Sequence, residues 1–321
     1  MYEVVGICTP CMDLILNLDR FPAPARGEPV REISWQGGNK VSSGMVACAR
    51  LGAKCAMMGS VGDDIFGRFI LDDFARHGID TSAMKIRAGE SSPLAVVLSE
   101  VAGGSRTFLY RDGGGSRHGH DNIDEALLRG AKYFYICQAN EIICRAVDIA
   151  RDAGVKIFVD ADTYSEKMAE LIPKIDIFVG SEFFYDAMFA KGSSIEANCR
   201  KIIELGPQIV LFTFGEKGCA GVSGDGFFTL PAFEVDAVDT VGAGDVFHGA
   251  FLAGLLQGRG ARDAARFASA VAAVKCTRIG GRAGIPDLVT TERFLQDGFI
   301  DYTDIDARVK FYERGLNNAK N

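Results

Sequence analysis

One stretch of this chain has both the residue types and the spacing for chemistry. It runs Asp239-Thr240-Val241-Gly242-Ala243-Gly244-Asp245-Val246-Phe247-His248-Gly249-Ala250-Phe251. Small residues lead into an apolar helix, and a carboxylate stands at the junction. Phe247, Phe251, Leu252, Leu255 and Leu256 recur at helical spacing, which predicts a helix over residues 244–256. The first turn of a helix carries backbone N–H groups without internal partners, and the dipole adds partial positive charge there. Gly242, Ala243 and Gly244 have almost no side chain, so a phosphate can come close to those N–H groups. Asp245 is then placed to take a proton from a hydroxyl while the N–H groups hold the transferring phosphoryl. An Asp in a first turn is ordinarily a cap worth about 1 kcal/mol. The preceding Asp239-Thr240 and the small Gly249, Ala250, Ala253 and Gly254 extend the pattern beyond a cap. Together they point to a kinase acting on a small alcohol.

The string resembles the C-terminal signature of the ribokinase (phosphofructokinase B, PfkB) family of carbohydrate kinases, read as D-T-x-G-A-G-D-x-F-x-G-A-F. The resemblance implies that Asp245 is the catalytic base and that the backbone of Gly242, Ala243, Gly244 and Asp245 is an anion hole. It also implies ATP and Mg²⁺ as cofactors and a monovalent cation, K⁺. That ion would be held by the Asp239 carboxylate and by carbonyls at Val241, Lys275, Arg278, Gly280 and Gly284.

Other segments extend the likeness. Asp13 matches the Asp of the family's sugar-gripping N-x-D element, with Cys11 in place of the Asn. Phe21-Pro22 with Gly27-Glu28 resembles an F-P-x-P-G-E segment, two residues longer here. Gln36-Gly37-Gly38-Asn39-Lys40, followed by Ala49-Arg50-Leu51-Gly52, resembles the N-terminal signature. Ser42 or Ser43 stands where that signature has a sugar-binding Asn, so Gly38, Asn39 and Ser43 are substrate candidates. Gly62-Asp63-Asp64 matches a G-D-D turn. Thr213, Gly215 and Gly218 match a T-x-G-x-x-G nucleotide element, and Ser269 falls at an adenine-pocket position. Ser181-Glu182 replaces the usual N-x-x-E near magnesium and phosphate.

These residues need a frame. Apolar runs predict strands at 3–7, 55–60, 132–136, 156–160, 176–179 and 209–214, alternating with helices at 41–51, 66–77, 141–153, 194–205, 244–256 and 262–276. Such alternation means an α/β fold with a mostly parallel central sheet between two helical layers, a three-layer αβα arrangement. Ligands then bind beyond the carboxyl ends of the strands, which brings in Gln138, Asn140, Asp160–Asp162 and Ser181. The segments 14–34 and 94–118 break the alternation, the second reading as two strands around Ala102-Gly103-Gly104-Ser105. They are expected to form a small antiparallel β lid on a main domain of residues 1–13, 35–93 and 119–321. A lid excludes water from phosphoryl transfer, and the family often uses it as a homodimer interface. Arg106, Arg111 and Arg117 lie in it and could meet a substrate carboxylate. Residues from Thr290 to the end read as peripheral helix.

Composition closes off other classes. A net charge of −7 without a long basic cluster argues against nucleic acid. No apolar run reaches about 18 residues, and no signal-peptide layout is present, so a cytoplasmic location is expected. Nine scattered cysteines suit reduced thiols, and Cys8-Thr9-Pro10-Cys11 has no second pair to complete a zinc site. His118-Gly119-His120 reads as a solvated turn. The expected substrate is ribose, fructose or a 2-keto-3-deoxy sugar acid, the alternatives being a nucleoside or a catalytically impaired regulatory relative. Neither a G-x-G-x-x-G after the first strand nor a Walker A string is present, which argues against dinucleotide and P-loop chemistry.

Overall fold

The protein is described from a computed structural model covering residues 1–102, 105–116 and 119–318. In chain order the strands are β1 (Val4–Cys8), β2 (Cys11–Leu18), β3 (Val30–Gly38), β4 (Cys55–Gly62), β5 (Met84–Arg87), β6 (Leu94–Glu100), β7 (Arg106–Arg111), β8 (Tyr133–Ile136), β9 (Lys156–Ala161), β10 (Ile177–Ser181), β11 (Ile209–Thr213), β12 (Cys219–Ser223) and β13 (Gly226–Leu230). The helices are α1 (Lys40–Arg50), α2 (Ile65–Arg76), α3 (Glu125–Arg129), α4 (Glu141–Asp152), α5 (Glu166–Leu171), α6 (Glu182–Met188), α7 (Ile195–Ile203), α8 (Ala243–Leu256), α9 (Ala261–Cys276), α10 (Leu288–Asp297) and α11 (Thr303–Glu313).

Nine strands form the main sheet, in the order β13-β12-β11-β10-β9-β8-β1-β4-β5. The pairs from β5 to β11 are parallel, and β12 and β13 extend the sheet antiparallel. Successive side chains of a strand point to opposite faces, so the apolar runs split into two cores. Val4, Met57, Tyr135, Phe158 and Leu211 pack with α1, α8 and α9. Val5, Ile7, Met58, Phe134 and Phe178 pack with α4 to α7. Burying each such side chain stabilises the fold by about 1.5–3 kcal/mol. The three-layer expectation is met, and every predicted strand and helix of the alternating region is present within two residues.

The second sheet has the order β3-β2-β6-β7 and corrects the expected antiparallel lid. Its outer pairs are antiparallel, but β2 and β6 run parallel, with Asp13 opposite Ala95. Both strands follow main-sheet strands that run the same way, so both leave its carboxyl edge in one direction. Gly103, Gly104, Arg117, His118 and residues 319–321 lie outside the described residues. The C-terminal segment is also not peripheral. Tyr312 of α11 is buried and donates to Asp73 Oδ1 of α2 at 2.6 Å, with His77 Nε2 3.0 Å from its hydroxyl.

The catalytic-candidate helix sits tightly on α1. A Cβ on Gly249 of α8 would fall 1.9 Å from the Gly44 carbonyl oxygen, and one on Gly44 would fall 2.3 Å from the Tyr135 hydroxyl. The small residues of the signature are therefore packing requirements as much as chemistry. Gly249→Ala should lower stability by about 3 kcal/mol, since backbone must move to admit the methyl. Urea unfolding checks this; an unchanged midpoint would mean that the helices are not in backbone contact.

Candidate active site

The turn before α8 is shaped by its neighbours. Gly242 is the helix N-cap with φ 72°, a left-handed conformation that glycine adopts without a Cβ penalty. A side chain there would also meet Gly281, whose Cα lies 2.8 Å from the Cβ position. α8 starts at Ala243, so the N–H groups of Gly244 and Asp245 belong to its first turn and have no helical acceptor behind them, while the Ala243 N–H donates to the Thr240 carbonyl at 3.2 Å. Asp245 stands in that turn beside two other carboxylates and two cations. Burial first, then the charges of Asp160 and Asp162, raise its carboxyl to about 7, while His248 and Lys40 pull the other way.

That surrounding group was only partly legible. His248, one turn after Asp245, is buried with its Nδ1 3.2 Å from Asp160 Oδ2. Burial opposes the imidazolium, but the Asp160 carboxylate outweighs it and raises the His248 pKa. Lys40, the first residue of α1, places its ammonium 2.6 Å from Asp162 Oδ2. Burial works against that charge, and the Asp162 hydrogen bond with the nearby Asp160 overcomes it. The signal for Lys40 in the sequence is a cation at the start of a helix, just after Gly37-Gly38-Asn39. Ser181 joins the group through Asp162, donating to its carbonyl at 2.9 Å and capping α6 at Phe184 N–H.

At the other end Asp13 lies on β2. Its carboxylate fills the space a side chain on Gly38 would take, 2.1 Å from the Cβ position. Burial raises its pKa to about 6, against the Cys11 thiol 3.0 Å from Oδ1 and the charge of Arg282. Asn39 has φ 85°, costly for a residue with a Cβ, and its buried Oδ1 has no hydrogen-bond partner among the described residues. Ser43 is buried in α1, its Oγ 3.7 Å from where a Cβ on Gly281 would sit. Ser42, the other serine, takes a hydrogen bond from Arg282. Gln138 lies half-buried after β8, whereas the Asn140 Oδ1 is committed to capping α4.

Of the arginine candidates, the two described residues do not come together. Arg106 and Arg111 end the same six-residue strand, roughly 17 Å apart at 3.4 Å per residue. Arg111 pairs across β6 toward Met12 and faces Asp64, next to the Asp13 end. Arg106 reaches Thr240 Oγ1 at 3.1 Å and lines a cavity of about 330 Å³ with Asn17, Ser99 and Asp239.

The nucleotide candidates lie along the ends of β10 and β11. The Thr213 hydroxyl donates to the Gly180 carbonyl at 3.4 Å, and Phe214 N–H to Gly218 O at 2.8 Å closes the loop carrying Gly215. Lys217 of that loop pairs with Glu182 at 2.9 Å. Ser269 is buried within α9. Among the cation candidates, Asp239 is buried and already accepts from Val241 N–H at 3.0 Å and Gly280 N–H at 2.8 Å. The Arg278 side chain points instead to Asp306 and Tyr302. Gly284 sits against the Lys275 carbonyl, 2.2 Å from its Cβ position. Cys8 and Cys11 are both free thiols, and burial raises Cys8 to about 12 and Cys11 in the same direction.

Comparison with known proteins settles the class. The model of the pfkB family carbohydrate kinases matches residues 1–288. This chain belongs to the PfkB family. It is 29% identical over 304 residues to the ribokinase of Bacillus subtilis, covering 91% of this chain and 98% of that one. It is 26% identical over 292 residues to the nucleoside kinase of Methanothermobacter thermautotrophicus, covering 89% and 93%. Among solved structures, the ribokinase of Arabidopsis thaliana complexed with ribose and ATP superposes with a TM-score of 0.77 at 21% identity, covering 92% and 99%.

In this PfkB chain the residue that sequence reading missed altogether is Arg282. It is fully buried, donates to Asp73 Oδ2 and Ser42 Oγ at 2.5 Å and to the Gly38 carbonyl at 3.3 Å, and touches the space beside Gly37. Its only sequence signal is a charge inside Gly280-Gly281-Arg282-Ala283-Gly284. No helix among the described residues is long and apolar enough to cross a membrane.

The raised Asp245 carboxyl has a consequence for stability. Its folded pKa of about 7 lies above an unfolded value of about 4. The folded state therefore retains a proton that the unfolded chain has lost, and stability drains away as pH rises through that window. Asp245→Asn removes the titration, so its gain in Tm over the parent protein should be larger at pH 8 than at pH 5. Thermal melts at the two pH values check this, and equal shifts would place the carboxyl in the ordinary range.

Proposed function

We propose that this carbohydrate kinase transfers the γ-phosphoryl group of ATP to a hydroxyl of a small sugar, with Asp245 as the base. One observation carries this reading: a carboxyl with a pKa near neutrality stands in the first turn of α8, directly after the Gly242–Gly244 turn. A base with that pKa can accept the hydroxyl proton at physiological pH. The N–H groups beside it meet the charge that develops on the phosphoryl oxygens. Asp13 and the Asn39 Oδ1, which has no partner among the described residues, offer acceptors to sugar hydroxyls, with Gly38 and Ser43 as further candidates. Gln138, Asn140 and Arg111 are further candidates for contact with the acceptor. Thr213, Gly215, Gly218, Ser181 and Ser269 are the nucleotide-side residues. Lys40, held by Asp162, supplies a positive charge near Asp245.

Magnesium would supply charge neutralisation on the nucleotide phosphates and keep most of its waters. The residues suit an ion that arrives with the nucleotide, since no group of three metal-ligating side chains is gathered among the described residues. The small sheet, built from the two inserted segments, would close over the acceptor and exclude water. Ribose, fructose and keto-deoxy sugar acids are the acceptors to test first; the nucleoside kinase relative adds nucleosides to that panel.

Coupled assays of ATP consumption across this panel test the proposal. One acceptor should support turnover, and Asp245→Asn should reduce kcat by at least about 10²-fold. Near-normal turnover in that variant would remove Asp245 from the mechanism. For the parent enzyme kcat/KM should rise with pH through an acid limb near 7, as the base deprotonates.

The same sheet is the proposed homodimer surface. β7 is exposed along its whole length, with Phe108, Leu109 and Tyr110 uncovered, and Ile33 of β3 is exposed as well. Exposed apolar surface of this kind is ordinarily covered by a partner. Light scattering should give twice the chain mass, and Phe108→Asp with Leu109→Asp should give the monomer.

A further inference from the structure

Lys275, near the end of α9, is fully buried. Its ammonium donates to the Asp239 carbonyl at 2.9 Å and, in a closer contact, to the Val241 carbonyl. These two carbonyls flank Thr240 in the segment that leads into the Gly242 turn. The Asp239 carboxylate and the Lys275 carbonyl are satisfied from within the protein. Asp239 Oδ1 accepts from Val241 N–H at 3.0 Å and from the Ser99 hydroxyl at 3.3 Å, and Oδ2 accepts from Gly280 N–H at 2.8 Å. The Lys275 carbonyl accepts from Arg278 N–H at 3.2 Å. A dissociable K⁺ seeking the Val241 carbonyl and the Asp239 carboxylate would find the first held by an ammonium and the second by three donors. The residues present do not fit the ion.

We propose that the Lys275 ammonium is this enzyme's built-in monovalent cation, which makes the turn before α8 independent of K⁺. The charge is the same, the acceptors are carbonyl oxygens in both cases, and the lysine cannot diffuse away. Burying an ammonium costs several kcal/mol unless hydrogen bonds and nearby negative charge compensate it. Here two carbonyls and the buried Asp239 carboxylate on the same segment do so. The link to the site is covalent. The Val241–Gly242 peptide is planar and trans, so its C=O and N–H point in opposite directions. Holding the Val241 oxygen on Lys275 aims the Gly242 N–H away from α9, on the side where the proposed phosphoryl group would sit. Lys275 is thus a positioning residue, and its catalytic consequence rests on the kinase reading above.

The test pairs a melt with an assay. Thermal melts of the parent protein without nucleotide, in KCl and in tetramethylammonium chloride at equal ionic strength, should coincide. A K⁺-specific rise in Tm would overturn the proposal whether or not the kinase reading holds. Given an acceptor, turnover in the two salts should agree within about twofold, and severalfold activation by K⁺ would overturn the proposal while leaving the kinase intact. Lys275→Ala vacates the ammonium position, so turnover should drop about tenfold or more and recover with K⁺ or NH₄⁺. Unchanged turnover, or a loss that neither ion restores, counts against it. Lys275→Met fills the space without charge and should show the loss without the rescue. Should the alanine variant not fold, this variant and the parent's salt comparison still decide.

Discussion

The charge on Arg282 is the constraint on which the rest of the structure depends. A guanidinium cannot shed its proton inside a protein, so its burial obliges the fold to build acceptors around it. Three separate elements supply them: Asp73 from α2, Ser42 from α1 and the Gly38 carbonyl from β3. Asp73 is held in turn by Tyr312 of α11, and although burial would raise its carboxyl, the Arg282 charge keeps it below the usual range. Gly37 is confined by the same demand, since a Cβ there would fall 2.0 Å from Arg282 Nη1. Removing one partner of such a pair leaves a buried charge uncompensated, at about 3–5 kcal/mol.

The loop that carries Arg282 also braces the turn before α8. Gln36, fully buried on β3, accepts from the N–H groups of Arg282 and Ala283 and donates to the Ile279 carbonyl at 3.0 Å. With the loop pinned there, Gly280 N–H meets Asp239 and Gly281 backs onto Gly242. The proposed acceptor end, with Asp13 and Gly38, and the proposed phosphoryl end, with Gly242 to Asp245, are therefore braced by one segment, residues 279–283. The links are the buried side chains of Arg282, Gln36 and Asp239, each hydrogen-bonded to backbone.

Around Asp245 the structure sets acids against bases in a small, partly buried space. Asp160 and Asp162 raise its carboxyl, while His248 and Lys40 limit the rise. The two cations are each committed to one of those acids, so neither collapses onto Asp245 as a fixed ion pair. That balance leaves the proposed base near neutrality, where proton transfer from a hydroxyl is most effective.

The sequence by itself determined the alternating elements, the three-layer class and the turn–helix with its carboxylate. These are local properties: apolar period, small residues at a helix start, and one charge at a set distance from them. It also determined that β2, β3, β6 and β7 would stand apart, because their segments break the alternation. Only the tertiary structure decided that β2 and β6 run parallel, that Arg106 and Arg111 point to opposite ends of one strand, and that α11 closes the core through Tyr312. Lys275 and Arg282 show the reason most plainly. Each looks in sequence like an ordinary cation near a helix end, and each is fully buried. Their partners lie 34 to 36 and 209 to 244 positions away along the chain. What a buried charge does is set by the acceptors that folding brings to it, and no local pattern encodes which ones those will be.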